Sequence, residues 1–108
     1  MLQASDIQQR FTSIRRTIGE AERACESASD SSPALREHLH KLADEAESAD
    51  AIIRGNQQDR IVECIDRLED MGDEAKRLSR SDDHISPKLE SAVMKVHAEL
   101  SQLKHQLH

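Results

Sequence analysis

Chemistry in this chain of 108 residues would have to come from its six histidines, two cysteines and 21 carboxylates. Glu37 and His40 stand three positions apart, the Glu-x-x-His unit that carboxylate-bridged di-iron bundles use. Such a centre also needs a second Glu-x-x-His and two more inward carboxylates. None of His84, His97, His105 and His108 has Glu three positions before it. Leu39 and Leu42 claim the inward face of that segment, so Glu37 and His40 are expected to point outward. His105 and His108 form another i, i+3 pair, but at the frayed end of the chain, where chance metal affinity is the simpler reading. Cys25 and Cys64 lack a histidine and an acid at readable spacing, and cysteine chemistry requires a stabilised thiolate. Gly19, Gly55 and Gly72 lie too far apart to build a phosphate loop. The expectation is a non-enzyme with no catalytic residue, no cofactor and no metal.

One histidine has a second reading. The segment His40-Lys41-Leu42-Ala43-Asp44 resembles the His-x-Leu-Lys-Gly motif of histidine phosphotransfer domains, which are four-helix bundles of about this size. The match is carried by His40 and Leu42 over one helical turn. Ala43 stands where the family has the Lys that helps hold the phosphoryl group. Asp44 replaces the small Gly that lets a response regulator approach, and adds negative charge beside the histidine. What the resemblance implies is a signalling domain with His40 as phosphoacceptor. It is the alternative to an ordinary solvated histidine.

Charge offers the third candidate. Asp59, Glu63, Asp66, Asp70 and Asp73 recur in steps of four and three, which places them along one face of a helix, opposite its apolar stripe. Asp44, Glu45, Glu47 and Asp50 add to the acidic surface, whereas Arg10, Arg15, Arg16 and Arg23 make the first helix comparatively basic. Charged faces are commonly only solvated. The functional alternative is a docking face for a basic protein partner, or for the first helix of a second copy.

The elements that carry these residues follow from the apolar pattern. Sliding the sequence by 54 positions places Ile7 on Ile61, Phe11 on Ile65, Ile14 on Leu68 and Ala21 on Ala75. The same shift places Leu35 on Leu89, Leu39 on Val93, Leu42 on Val96 and Ser32-Pro33 on Ser86-Pro87. The chain therefore reads as two similar αα-hairpins, residues 5–54 and 56–108, in one domain spanning 1–108. Duplication and convergence account for this equally well. The spacing predicts an all-α, antiparallel, up-down-up-down four-helix bundle. An intertwined dimer comes second, and three helices with a loose tail third. The first helix is expected after Ser5, with Ser5 and Gln8 as a capping box. Ser32 and Ser86 should cap the second and fourth, each with proline in the first turn. Gly55 should close the second in the left-handed conformation, and Asn56 should cap the third. Gly72 falls where an apolar residue is expected. It reads as a packing adjustment with Met71 filling the gap, or as a hinge or partner notch.

Composition excludes several classes. Only 1% of residues are aromatic and nothing alternates with period two, which argues against an all-β fold. A formal net charge of −6, with no concentrated basic face, argues against nucleic acid and against an anionic membrane surface. No apolar run approaches the roughly 18 residues of a membrane span. The N-terminus MLQASDIQQR has no apolar core for a secretory signal, so a cytoplasmic location is expected. Cys25 and Cys64 should sit about 20 Å apart along the bundle, beyond the roughly 7 Å reach of a disulfide. Cys25 is expected in the core and Cys64 at its flank. A thin core of Ile, Leu and Ala leaves room for help from a homo-oligomer. The functional expectation is an acidic interaction module that binds a protein partner or itself.

Overall fold

A computed structural model describes residues 3–28 and 32–108. Four helices run in order: α1 (Ala4–Ser27), α2 (Pro33–Arg54), α3 (Gln58–Arg80) and α4 (Pro87–Leu107). No strand occurs among the described residues. Each helix packs against its neighbours in the chain, α1 also packs against α4, and the diagonal pairs stay apart. That is the four-cornered plan of an up-down-up-down bundle, here 41 × 21 × 17 Å.

Steps of three and four keep one stripe of each helix facing inward. The core so formed includes Ile7, Phe11, Ile14 and Ile18 of α1 with Leu35, Leu39 and Leu42 of α2. Ile61, Ile65 and Leu68 of α3 and Leu89, Val93, Val96 and Leu100 of α4 complete it. Cys25 and Cys64 are not joined in a disulfide, and both are buried. Cys64 therefore joins the core instead of flanking it, because the α2–α3 packing covers the edge of the stripe.

The helix starts follow the serine-proline pairs. Ser32 Oγ accepts from the Leu35 amide at 3.4 Å, and Ser86 Oγ accepts from the Leu89 amide at 3.2 Å. Asp82 ties the α3–α4 loop to the start of α2. Its Oδ2 accepts from the Ser32 amide at 3.1 Å and its Oδ1 from the His84 amide at 3.0 Å.

Three expected caps are corrected. The Ile7 amide donates to the Gln3 carbonyl at 3.0 Å, so α1 starts too early for Ser5 to cap it. Gln3 is the N-cap and makes no side-chain cap bond. Gly55 stays right-handed, with φ −76°, because its amide still donates into the last turn of α2, to the Ala51 and Ile52 carbonyls. The reversal falls on Asn56 instead, with φ 59°, a conformation that Asn tolerates better than most side chains. Gln57 then precedes α3 as its N-cap. The expected loop residues Ser29, Asp30 and Ser31 lie outside the described residues.

Gly72 is buried and packs directly against α4. A Cβ there would lie 3.2 Å from Leu100 Cδ1 and 3.8 Å from the His97 Cα. The packing explanation holds, with Met71 partly buried against the core beside it. The missing side chain lets α3 and α4 approach closely.

Candidate functional site

Among the described residues three polar side chains are buried: Thr17, Ser79 and Glu69. The first two are satisfied by their own helices. Thr17 Oγ1 donates to the Ser13 carbonyl at 3.1 Å and Ser79 Oγ to the Lys76 carbonyl at 2.8 Å. Glu69 differs. It is 8% exposed, and its Oε2 is buried without a hydrogen-bond partner.

Close approach at Gly72 explains the burial. Glu69 precedes Gly72 by one turn on the same side of α3, so the flank of α3 is drawn against α4. The polar residues beside the two stripes then meet in antiparallel order. Asp66 Oδ1 lies 2.8 Å from His108 Nε2. Glu69 Oε2 lies 3.9 Å from Lys104 Nζ. Asp73 Oδ1 lies 2.5 Å from His97 Nε2. A seam of carboxylates facing histidine and lysine side chains therefore runs down the α3–α4 boundary. An open groove of about 850 Å³ lies along it, lined by Glu69, His97, Ser101, Lys104, His105 and His108 among others.

Burial pushes the Glu69 carboxyl above its ordinary value, and the nearby Asp73 and Asp70 carboxylates push the same way. Lys104 and His97 oppose them without overcoming the burial. No family model, curated protein or solved structure matches this chain. Function must therefore be argued from these side chains alone.

The seam divides the acidic stripe. Asp66 and Asp73 face α4 and are taken up by His108 and His97. They sit at the flank of the apolar stripe, not opposite it, because each follows a core position (Ile65, Gly72) by one residue, or about 100° of helix. Asp59, Glu63 and Asp70 are exposed, and among the described residues no ion pair engages them.

His40 stands on the outside of α2, its side chain 49% exposed, with Nδ1 2.7 Å from Glu22 Oε2 of α1. Glu37 is likewise exposed and pairs with Lys41 at 3.6 Å. The Glu37–His40 pair thus faces outward as expected. His38 bridges α2 to α3 through Nε2, 2.7 Å from the Met71 carbonyl. A carbonyl only accepts, so Nε2 carries the proton. Burial raises the Cys64 thiol above its ordinary value, with Arg67 opposing.

Glu69 and His97 were not among the expected site residues. The available signal was Glu69 four positions after Ile65 and three before Gly72. That is the spacing of a stripe position, occupied by a charge.

Proposed function

We propose that this protein is a non-enzymatic docking module, whose exposed α3 carboxylates bind a basic segment of a protein partner. The observation that carries the reading is the contrast within one helix. Asp66, Asp73 and Glu74 each have a basic side chain of the same chain within hydrogen-bond reach, namely His108, His97 and Arg77, and Glu69 has Lys104 Nζ 3.9 Å away. Asp59, Glu63 and Asp70 remain exposed and unengaged among the described residues. The formal net charge of −6 favours a basic partner in the same way. Charges at such a rim steer encounter and set register more than they add affinity.

The test uses a fluorescent Lys/Arg-rich peptide and the intact chain, read by anisotropy. Binding should weaken steeply between about 0.1 M and about 1 M salt, over which the screening length falls from about 10 Å to about 3 Å. Replacing Asp59, Glu63 and Asp70 together by Lys should abolish it while leaving the helical circular dichroism unchanged. Binding that survives the triple reversal refutes the docking face. Light scattering on the same samples separates the other occupant, α1 of a second copy. A salt-sensitive dimer that fails to bind the peptide would assign the face to self-association.

The phosphotransfer reading keeps one supporting observation. The Glu22 carboxylate at His40 Nδ1 favours the proton on that nitrogen, which leaves Nε2 with the lone pair that a phosphoryl group would need. Incubation with acetyl phosphate should then add one phosphoryl mass, lost in His40→Ala. No mass shift removes this reading.

A further inference from the structure

We infer that Glu69, Asp73 and His97 form a binding site for one divalent transition cation of the zinc class, bridging α3 to α4. One ligand atom from each of the three lies within 4.8 Å of the other two. A tetrahedral zinc centre with bonds of about 2.0–2.2 Å holds its ligand atoms a little over 3 Å apart. Side-chain rotation therefore suffices to close the set. Glu69 and Asp73 stand one helical turn apart on α3 and His97 faces them from α4, so the ligands belong to two packed helices and not to a mobile loop.

The geometry alone would describe an acidic cluster beside a histidine. Glu69 adds an independent observation. Its Oε2 is buried and accepts no hydrogen bond, and of the buried side-chain oxygens without a donor among the described residues (Glu69 Oε2, Glu99 Oε1 and Gln106 Oε1) it alone belongs to a group of three ligand-type side chains. Buried carboxylate oxygens without donors are rare, and an ion is among their standard explanations. Lys104 does not fill the role. Its Nζ is 3.9 Å away, beyond hydrogen-bond reach, and the side chain is 37% exposed, free to swing into solvent when a cation binds.

Ligand chemistry selects the metal class. One imidazole with two carboxylates suits zinc, manganese or cobalt, whereas magnesium and calcium prefer oxygen-only sets. Binding replaces the His97 Nε2 hydrogen bond to Asp73. The ring moves its proton to Nδ1, and Nε2 and the Asp73 oxygen both turn to the metal. Three protein ligands leave a fourth position open toward the α3–α4 groove. The site stands independently of the docking reading, since Asp59, Glu63 and Asp70 take no part in it.

The test is calorimetric titration of the untagged full chain with zinc chloride, with magnesium chloride as control. Cobalt chloride is followed in parallel by its visible absorption. The expected result is one zinc per chain, no magnesium heat, and cobalt bands of a low-coordinate nitrogen/oxygen site. Glu69→Gln, Asp73→Asn and His97→Ala should each lose at least about tenfold in affinity. His105→Ala should leave it unchanged. Asp73 is exposed, so Asp73→Asn keeps its fold even where His97→Ala loosens the bundle. No saturable zinc binding at micromolar concentration overturns the proposal. So does binding that survives Glu69→Gln and Asp73→Asn, or binding lost with His105 and His108 together but not with His97, which would mark adventitious capture by the terminal histidines.

Discussion

Glu69→Gln should stabilise the metal-free protein at neutral pH, an unusual outcome for a change at a buried position. The carboxylate has one buried oxygen with no donor, and an unsatisfied buried acceptor typically costs about 1–3 kcal/mol. Lys104 returns part of this, but at 3.9 Å and 37% exposure it behaves as a partly solvated pair, worth at most about 1 kcal/mol. Removing the charge also relieves repulsion from Asp73 and Asp70. The net expectation is a gain of about 1 kcal/mol, or about 4 °C in Tm for a domain of this size. The pH dependence has a definite sign. Burial raises the folded carboxyl above its ordinary 4.5, so between the unfolded and folded values the native chain binds more protons than the unfolded chain. Stability then falls as pH rises through that window. The advantage of Gln should be full above the folded value and should vanish below the unfolded one. The chain has no Trp or Tyr, so urea unfolding is followed by far-ultraviolet circular dichroism, with chelator present, at neutral and acid pH. Unchanged m-values confirm that compactness is the same. If the variant is less stable than wild type at neutral pH, the Lys104 pair outweighs burial and the account of Glu69 as a strained carboxylate fails.

Gly72→Leu should destabilise the bundle by about 1–3 kcal/mol in the same assay, since even a Cβ would lie 3.2 Å from Leu100 Cδ1 and larger groups overpack the seam. Leu100→Ala, at a position with 0% exposure, should cost about 2–5 kcal/mol. Ser32→Ala and Ser86→Ala each remove one cap bond and should cost about 1 kcal/mol apiece, additively because the sites share no partner. Cys25 and Cys64 are both buried, so native protein should react slowly with Ellman's reagent and release both thiols at once on unfolding; rapid labelling of one thiol under native conditions would contradict its place in the core.

The bundle was legible because its signals are local and periodic. Leu35, Leu39 and Leu42 face inward by spacing alone, and Ser32-Pro33 and Ser86-Pro87 announce their helix starts with residues whose side chains make the cap bonds. The failures lie where two signals competed. Gly55 and Asn56 both accept the left-handed conformation, and only the persistence of the Ala51 and Ile52 bonds to the Gly55 amide decides between them. Ser5 looked like a cap because Gln8 follows it, whereas Gln3 starts the helix through its backbone carbonyl. The acidic stripe was visible as a set of residues, but not its division into paired and unengaged members. That division depends on which α4 residue stands opposite each carboxylate. Interhelical register of this kind comes from close packing, on which sequence spacing within α3 is silent.

Gly72 connects the packing to the candidate site. A leucine in its place would extend the apolar stripe and hold α4 further off, and Glu69, one turn earlier, would then reach water. Removing the side chain closes the helices, brings His97 to Asp73, and shuts Glu69 Oε2 away from solvent. A helix-weakening residue and a stranded carboxylate one turn apart each lower stability on their own. Their coincidence at the point where three ligand-type atoms converge is what a binding site shows, where local rules are broken together and stability is given up for function. The same logic separates Glu69 from Glu74, whose carboxylate is exposed, hydrogen-bonded to Arg77 and held below the ordinary range by it. Glu74 stabilises the fold above its unfolded pKa and loses that contribution as pH falls through the lowered value. Glu69 does the reverse, so opposite pH responses of Glu69→Gln and Glu74→Gln would distinguish the strained carboxylate from the structural one within a single helix.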